Sequence, residues 1–173
     1  RTESKEKAAG RLRVTTTTGF GNCWLRPRLQ KLMEANPERD ICRSREDNDR
    51  DLGMREADVA VRMHAPRQPD LIQRHLADFN LPIFAAPQYI ERHGMPSSLE
   101  DIKNHQLVLF GEHHPPVAHI NWLAEAGQTN NHSRPARLEV NSMAAMASAI
   151  AAGLGIGSIP SYAASKFPDL VQV

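Results

Sequence analysis

The chain has 173 residues, with 21 Lys+Arg against 20 Asp+Glu and a formal net charge of +1. Its 40% hydrophobic and 24% charged content is that of an ordinary globular chain and excludes collagenous, coiled-coil and wholly disordered classes. The length allows one domain or two small lobes with a core, and no window approaches the ~20 consecutive apolar residues of a membrane-spanning helix.

Residues 1–10 mix Lys, Glu and Arg, end in Gly10 and read as a linker remnant. No apolar run follows their charge, so nothing here directs export and the expected location is the cytoplasm. Leu12 and Val14 alternate with Arg13 and Thr15 as a short strand, and Phe20, Trp24, Leu25, Leu29 and Leu32 then share one helical face. Asn36-Pro37 stops that helix, because the residue before proline is pushed out of the α region. Ile41-Cys42-Arg43-Ser44-Arg45 is too polar for a central strand and suits an edge. A short helix is expected over 49–56. Asp58-Val59-Ala60-Val61-Arg62 follows as an apolar strand of the kind buried in a parallel sheet, which completes a β-α-β unit.

The stretch 71–86 reads as extended, leaving one lobe and entering another. Pro87 opens a helix through His93, closed by Gly94. A second helix, capped by Ser97 or Ser98 with Glu100 and Asp101 in its first turn, reaches His105. Gln106 to Phe110 is a compact apolar strand. From Gly111 to Pro135 the sequence is polar, and only 120–126 has the apolar content for a strand. Leu138-Glu139-Val140 then leads into Asn141-Ser142, which can cap an alanine-rich helix running to Ala152; Gly153 closes it, and 156–159 makes the next strand. A short helix over 162–167 and a strand starting at Leu170 complete an α/β alternation.

Thr15-Thr16-Thr17-Thr18-Gly19-Phe20-Gly21 joins the first strand to the first helix, so hydroxyls and backbone N–H groups collect where an anion is welcome. The plainer alternative is one capping threonine among β-branched strand residues. The segment is no dinucleotide fingerprint, since Trp24 stands where a third glycine belongs, and no P-loop. Gly153-Leu154-Gly155-Ile156-Gly157 follows a helix and precedes a strand, the reverse of what pyrophosphate needs, and reads as a tight turn. Arg62 would emerge beside the threonine loop, where it can hold a carboxylate bidentately or form a structural ion pair with Glu56 or Asp58. Glu112-His113-His114 with His119 lacks a second cluster at ligand spacing, so no metal and no cofactor is expected. Cys23 and Cys42 fit reduced thiols. No serine sits in a G-x-S-x-G elbow and no nucleophile-base pair is visible, so an enzyme is not expected. Met143 and Met146 fit core packing, and Arg11, Arg13, Arg26 and Arg28 fit solvated faces rather than a DNA contact.

Several phrases in order resemble the effector-binding domain of LysR-type transcriptional regulators: Gly10-Arg11-Leu12-Arg13-Val14-Thr15, Leu25-Arg26-Pro27-Arg28-Leu29, Arg55-Glu56-Ala57-Asp58-Val59-Ala60-Val61-Arg62, Ala85-Ala86-Pro87-Gln88-Tyr89-Ile90 with Arg92-His93-Gly94, and Val140-Asn141-Ser142 through Gly153-Leu154-Gly155-Ile156 to Pro160. The resemblance implies two α/β lobes like those of type II periplasmic binding proteins, with mixed sheets and crossing hinge strands: lobe one over 11–81, lobe two over 82–173, and a small effector in the cleft between them, which the threonines and Arg62 suggest is anionic. It implies effector contacts at Thr16, Thr17, Thr18, Arg62 and Met63 from lobe one, and at Phe110, Gly111, Asn141 and Ser142 from lobe two. It further implies a chain trimmed at both ends, without the DNA-reading helix-turn-helix that precedes this domain and without the final return to lobe one. The full-length partners would be DNA, a small effector and further copies in a homodimer or homotetramer that switches transcription. The polar 41–45 segment departs from the family's apolar strand, which bears on its side-by-side dimer contact. A solute-binding protein of a transporter is the alternative with the same fold, and an α/β enzyme is the more distant one.

Overall fold

A computed structural model describes residues 10–45, 57–65, 71–111, 117, 119–128 and 133–173. The expected helix over 49–56 and the Glu112-His113-His114 run lie outside them. The chain divides into two compact units, Arg1–Leu71 and Ile72–Val173. Residues 72–81, which the sequence reading assigns to lobe one, go with the second unit. There the Leu81 carbonyl accepts from Trp122 Nε1 and Ser158 Oγ, and the Phe79 ring meets Tyr162 edge-on.

The first unit is a three-stranded parallel sheet in the order β2-β1-β3, with β1 at Gly10–Thr16, β2 at Arg39–Arg45 and β3 at Val59–Val61. Its register sets Leu12 beside Ile41 and Thr16 beside Val61. Only the carboxyl half of β1, flanked on both sides, buries its residues. Among the described residues the polar β2 takes an edge, which its composition suits. The strand at 58–62 is shorter than expected and is not buried, since Val59 is 47% exposed. It pairs only along its β1 side among the described residues, and so forms the other edge.

After β1 the chain turns directly into one helical run: α1 at Thr18–Phe20, a π-helical turn at Gly21–Leu25 and α2 at Arg26–Ala35. The widened turn has a cause in the sequence. Pro27 has no N–H to give the carbonyl four residues back, and its ring crowds that carbonyl; the i→i−5 bond from Arg26 N–H to Gly21 O lets the helix continue past it. Asn36 ends the run, its side-chain amide donating to Leu32 O at 2.9 Å.

In the second unit β4, Ile83–Ala85, lies between β7, Gly157–Ser158, and β8, Val171–Gln172, antiparallel to both. β5, Val108–Phe110, runs parallel to β6, Leu138–Val140. A parallel bridge from Leu107 to Ile156 connects these two sets of strands. Around them stand α3 (Pro87–His93), a 3-10 turn (Asp101–Asn104), α4 (Trp122–Glu125), α5 (Met143–Ala151) and α6 (Ser161–Ala164). Three expectations change. The helix reaching His105 is a single 3-10 turn, with Asp101 accepting from the Ser97 and Ser98 N–H groups ahead of it. The strand expected in 120–126 is the short helix α4. The helix at 162–167 is confined to α6 and a following turn. The core of this unit gathers Ile83, Ala85, Tyr89, Ile102, Leu107, Leu109, Leu123 and Ile156; Met143 and Met146 are buried as read.

Candidate functional site

β1 and β3 are neighbours and parallel, so their carboxyl ends open at one edge of the first sheet, where ligands of open α/β sheets sit. This brings Thr16, Thr17 and Thr18 together with Arg62 and Met63, the residues that follow Val61. Thr16 is fully buried, and its hydroxyl has no hydrogen-bond partner among the described residues. Thr17 occupies the N-cap position, yet its hydroxyl makes no capping bond; only its carbonyl is used, accepting from Gly21 N–H at 2.9 Å. The plain cap reading therefore fails at Thr17. Arg62 reaches across β1, with Nη2 3.4 Å from the Thr15 hydroxyl. Asp58 is engaged elsewhere, its carboxylate accepting from the Arg13 N–H at 2.8 Å and from the Arg13 guanidinium at 3.1 Å. The Arg13 side chain holds this carboxyl below its usual range.

The second unit repeats the arrangement. β5 and β6 are parallel neighbours, and Phe110 and Gly111 at the end of one lie beside Val140, Asn141 and Ser142 at the end of the other, with Gly111 N–H donating to Val140 O at 2.8 Å. Here the structural alternative holds for Ser142, whose hydroxyl caps α5 by accepting from Ala145 N–H at 3.1 Å. Asn141 is exposed. Phe110 is buried, and both its backbone groups are taken by one side chain: Asn121 Oδ1 accepts its N–H at 2.8 Å, and Asn121 Nδ2 donates to its carbonyl at 2.7 Å. Asn121 imitates a neighbouring strand for one residue. No sequence signal marked it, since it sits in the polar 111–135 stretch.

Removing that amide leaves both backbone groups of Phe110 without a partner. Asn121→Ala is expected to destabilise the chain by about 1–3 kcal/mol, read from the urea midpoint. A change below about 0.5 kcal/mol, the size of an ordinary surface substitution, would show that water replaces the amide at no cost.

Among the described residues no group of three or more His, Cys, Asp or Glu could hold a metal ion, and no helix is long and apolar enough to cross a membrane. Residues 5–172 match the LysR substrate binding domain family, and the chain belongs to it. The probable HTH-type transcriptional regulator LtrA of Klebsiella pneumoniae is 27% identical over 170 residues, 96% of this chain and 54% of that protein. The uncharacterized HTH-type transcriptional regulator YhjC of Escherichia coli K12 is 30% identical over 164 residues, 90% of this chain and 52% of its own length. This chain thus spans about half the length of the curated relatives it matches.

Among solved structures, the regulatory domain of CrgA from Neisseria meningitidis superposes with a TM-score of 0.82 at 24% identity, covering 95% of this chain and 81% of that one. The regulatory domain of AphB from Vibrio vulnificus does so with a TM-score of 0.73 at 25% identity, covering 96% and 82%. The fold is the two-lobed, type II periplasmic-binding-like α/β fold of these domains. The chain is the effector-binding domain of a LysR-type regulator, a family of transcriptional regulators and not of enzymes.

Proposed function

We propose that this domain senses a small anionic metabolite. The residues proposed for its recognition are Thr16, Thr17, Thr18, Arg62 and Met63 in the first unit and Phe110, Gly111, Asn141 and Ser142 in the second. In the full-length protein, occupancy changes the arrangement of a homodimer or homotetramer in the cytoplasm, and a helix-turn-helix domain outside this chain reads the DNA. The naming of the relatives as HTH-type regulators supports the DNA-reading part.

One observation carries the ligand reading: at the carboxyl end of β1, where Arg62 meets the Thr15 hydroxyl, the Thr17 hydroxyl makes no capping bond and the buried Thr16 hydroxyl has no partner among the described residues. A buried hydroxyl without a partner costs about 1–3 kcal/mol, a cost that a ligand oxygen would relieve. The guanidinium supplies the charge that makes an anion the preferred occupant. Within the second unit the Ser142 hydroxyl and the Phe110 backbone are already committed and the Phe110 ring is buried, so recognition there falls to the exposed Asn141 and Gly111.

The test is a thermal-shift screen of the chain against organic acids, amino acids and inorganic anions, repeated on Thr17→Ala/Thr18→Ala and on Arg62→Met. A ligand at about 100 times its Kd stabilises by about 2.7 kcal/mol. A saturable rise in Tm that both variants lose supports the reading. A rise that both retain places the ligand elsewhere and overturns the assignment of these residues.

A further inference from the structure

Tyr89 on α3 is fully buried, yet its hydroxyl stands between two groups: it accepts the Gln106 N–H at 2.9 Å and lies 3.3 Å from Nδ1 of His105. A phenol has one proton to give. With its oxygen accepting from Gln106, the phenol has His105 Nδ1 within reach as the acceptor for that proton, an arrangement that calls for a neutral imidazole with its own proton on Nε2. An imidazolium would set an N–H against the phenol and take away the acceptor of a buried hydroxyl.

The other charged and titratable groups at this joint are His93 and Arg92 on α3 and Asp101 on the 3-10 turn. His93 stacks on the Tyr89 ring with centroids 4.4 Å apart, and the His105 ring lies 5.8 Å from it, so two imidazoles attend one phenol. Burial, followed by the charge of His93, pushes the His105 pKa down, and Asp101 opposes them. The Asp101 carboxylate is itself occupied by the Ser97 hydroxyl at 2.6 Å and by the Ser97 and Ser98 N–H groups. Burial pushes the Tyr89 hydroxyl up, so the phenol stays protonated across the range in which histidine titrates.

We propose that Tyr89 and His105 form a proton-responsive clasp, in which proton uptake at His105 releases α3 from the turn that leads into β5. The effect reaches beyond the joint. From α3, Gln88 Nε2 donates to Ala151 O at 2.9 Å and Arg92 Nη2 to Gly153 O at 3.1 Å, so α3 also grips the carboxyl end of α5. Loosening the clasp frees one end of the helix whose other end follows Asn141 and Ser142. The clasp stands independently of any effector.

The folded chain holds His105 neutral more firmly than the unfolded chain does, so below the ordinary histidine value of about 6.5 the unfolded state binds more protons. Stability is complete above that value and declines as the pH falls through it toward the lower folded-state value. One proton changes the folded-to-unfolded ratio by at most about tenfold per pH unit.

The experiment follows urea unfolding of the full chain from about pH 7.5 to about pH 5.5, spanning the histidine range, for the unaltered protein and His105→Gln. An NMR titration of 15N-labelled histidines runs alongside, in the unaltered protein and in Tyr89→Phe. Gln can accept the phenol proton through Oε1 and does not titrate. The expected result is a shallower acid decline in His105→Gln, by up to the tenfold per unit of one proton, with neutral His105 in the Nε2–H tautomer. Its titration would lie below the ordinary value and move toward it in Tyr89→Phe. Equal slopes in the two proteins, an Nδ1–H tautomer, or ordinary titration of His105 with Tyr89 intact would each overturn the clasp. Should His105→Gln not fold, the titration of the unaltered chain decides alone.

Discussion

Gly155→Ala is expected to cost about 3 kcal/mol or more, near the top of the usual range for overpacking. A Cβ built on Gly155 would lie 2.5 Å from the Gln106 carbonyl oxygen, 3.1 Å from its carbon and 3.2 Å from a Val108 methyl. The first two are backbone atoms of the strand next door and cannot swing aside. Ile156 N–H donates to that same Gln106 oxygen at 2.9 Å, and Val108 N–H donates to Ile156 O at 2.9 Å. Moving the strands apart to admit a methyl group therefore breaks the bridge that joins β5 to the β7 side of the second unit. Gly153→Ala provides the contrast. There φ is +73°, so a side chain pays the left-handed penalty of roughly 1–2 kcal/mol, but the nearest atoms are side-chain atoms, Arg92 Nη2 and Gln88 Cγ at 3.1 Å, which can shift. Urea midpoints should order the unaltered chain above Gly153→Ala and Gly153→Ala above Gly155→Ala. The reverse order would mean that backbone conformation, not close approach, fixes these glycines.

Those glycines also show how far the sequence could be read. Gly153-Leu154-Gly155-Ile156-Gly157 was legible as a helix-to-strand turn because pyrophosphate binding needs the opposite order of elements. Only Gly153 serves the turn itself. Gly155 is a glycine because of the Gln106 backbone across the sheet, and Gly157 because of the Ile150 side chain on α5 as well as the Val108 carbonyl; a local pattern carries no information about neighbours some fifty residues away in the chain, such as Gln106 and Val108. The same distinction runs through the first unit. The polar alternation of 41–45 indicated an edge strand. The apolar run at 58–62 indicated burial, and among the described residues the strand is an edge instead, since apolarity shows what a strand tolerates and not whether both its sides are paired. Pro27 was visible, but the π-helical turn it requires depends on the helical run having already started at Thr18.

For the candidate site, the placement of the threonines and Arg62 at the carboxyl ends of β1 and β3 was legible, because the order strand then helix fixes which end of the strand carries them. Whether a hydroxyl is used as a cap was not legible. Thr17 and Ser142 occupy the same position at helix starts, and only Ser142 caps. Asn121 was invisible for a different reason: a polar residue in a polar stretch gives no contrast, and its role appears only when the backbone of Phe110 is brought to it.

The same polar stretch holds the second large effect, Leu123→Ala, expected to cost about 3–5 kcal/mol, in the upper part of the range for a buried leucine. Leu123 is fully buried in the cluster that contains Ile83, Tyr89, Ile102 and Leu107. It lies on α4, a helix of four residues, far below the roughly 12–15 residues at which a helix becomes even marginal in water by itself. α4 exists because it is anchored. Trp122 Nε1 donates to Ser158 Oγ and to Leu81 O, while Arg134 Nη1 donates to Leu123 O at 3.2 Å and to Ala126 O at 2.6 Å.

Deleting the leucine side chain removes the apolar anchor under these polar ones. The loss should then exceed a cavity alone, since the hydrogen bonds depend on α4 staying in place. Leu123→Met, which roughly keeps the volume, should cost less than about 1.5 kcal/mol. The chain has two tryptophans, Trp24 in the first unit and Trp122 in the second. In a Trp24→Phe background, Trp122 fluorescence therefore reports on α4 itself. Leu123→Ala should shift that emission toward the exposed value before global unfolding in urea, whereas Leu123→Met should not. A loss under about 1 kcal/mol with unchanged emission would mean that the polar anchors suffice and that the leucine contributes only its transfer energy.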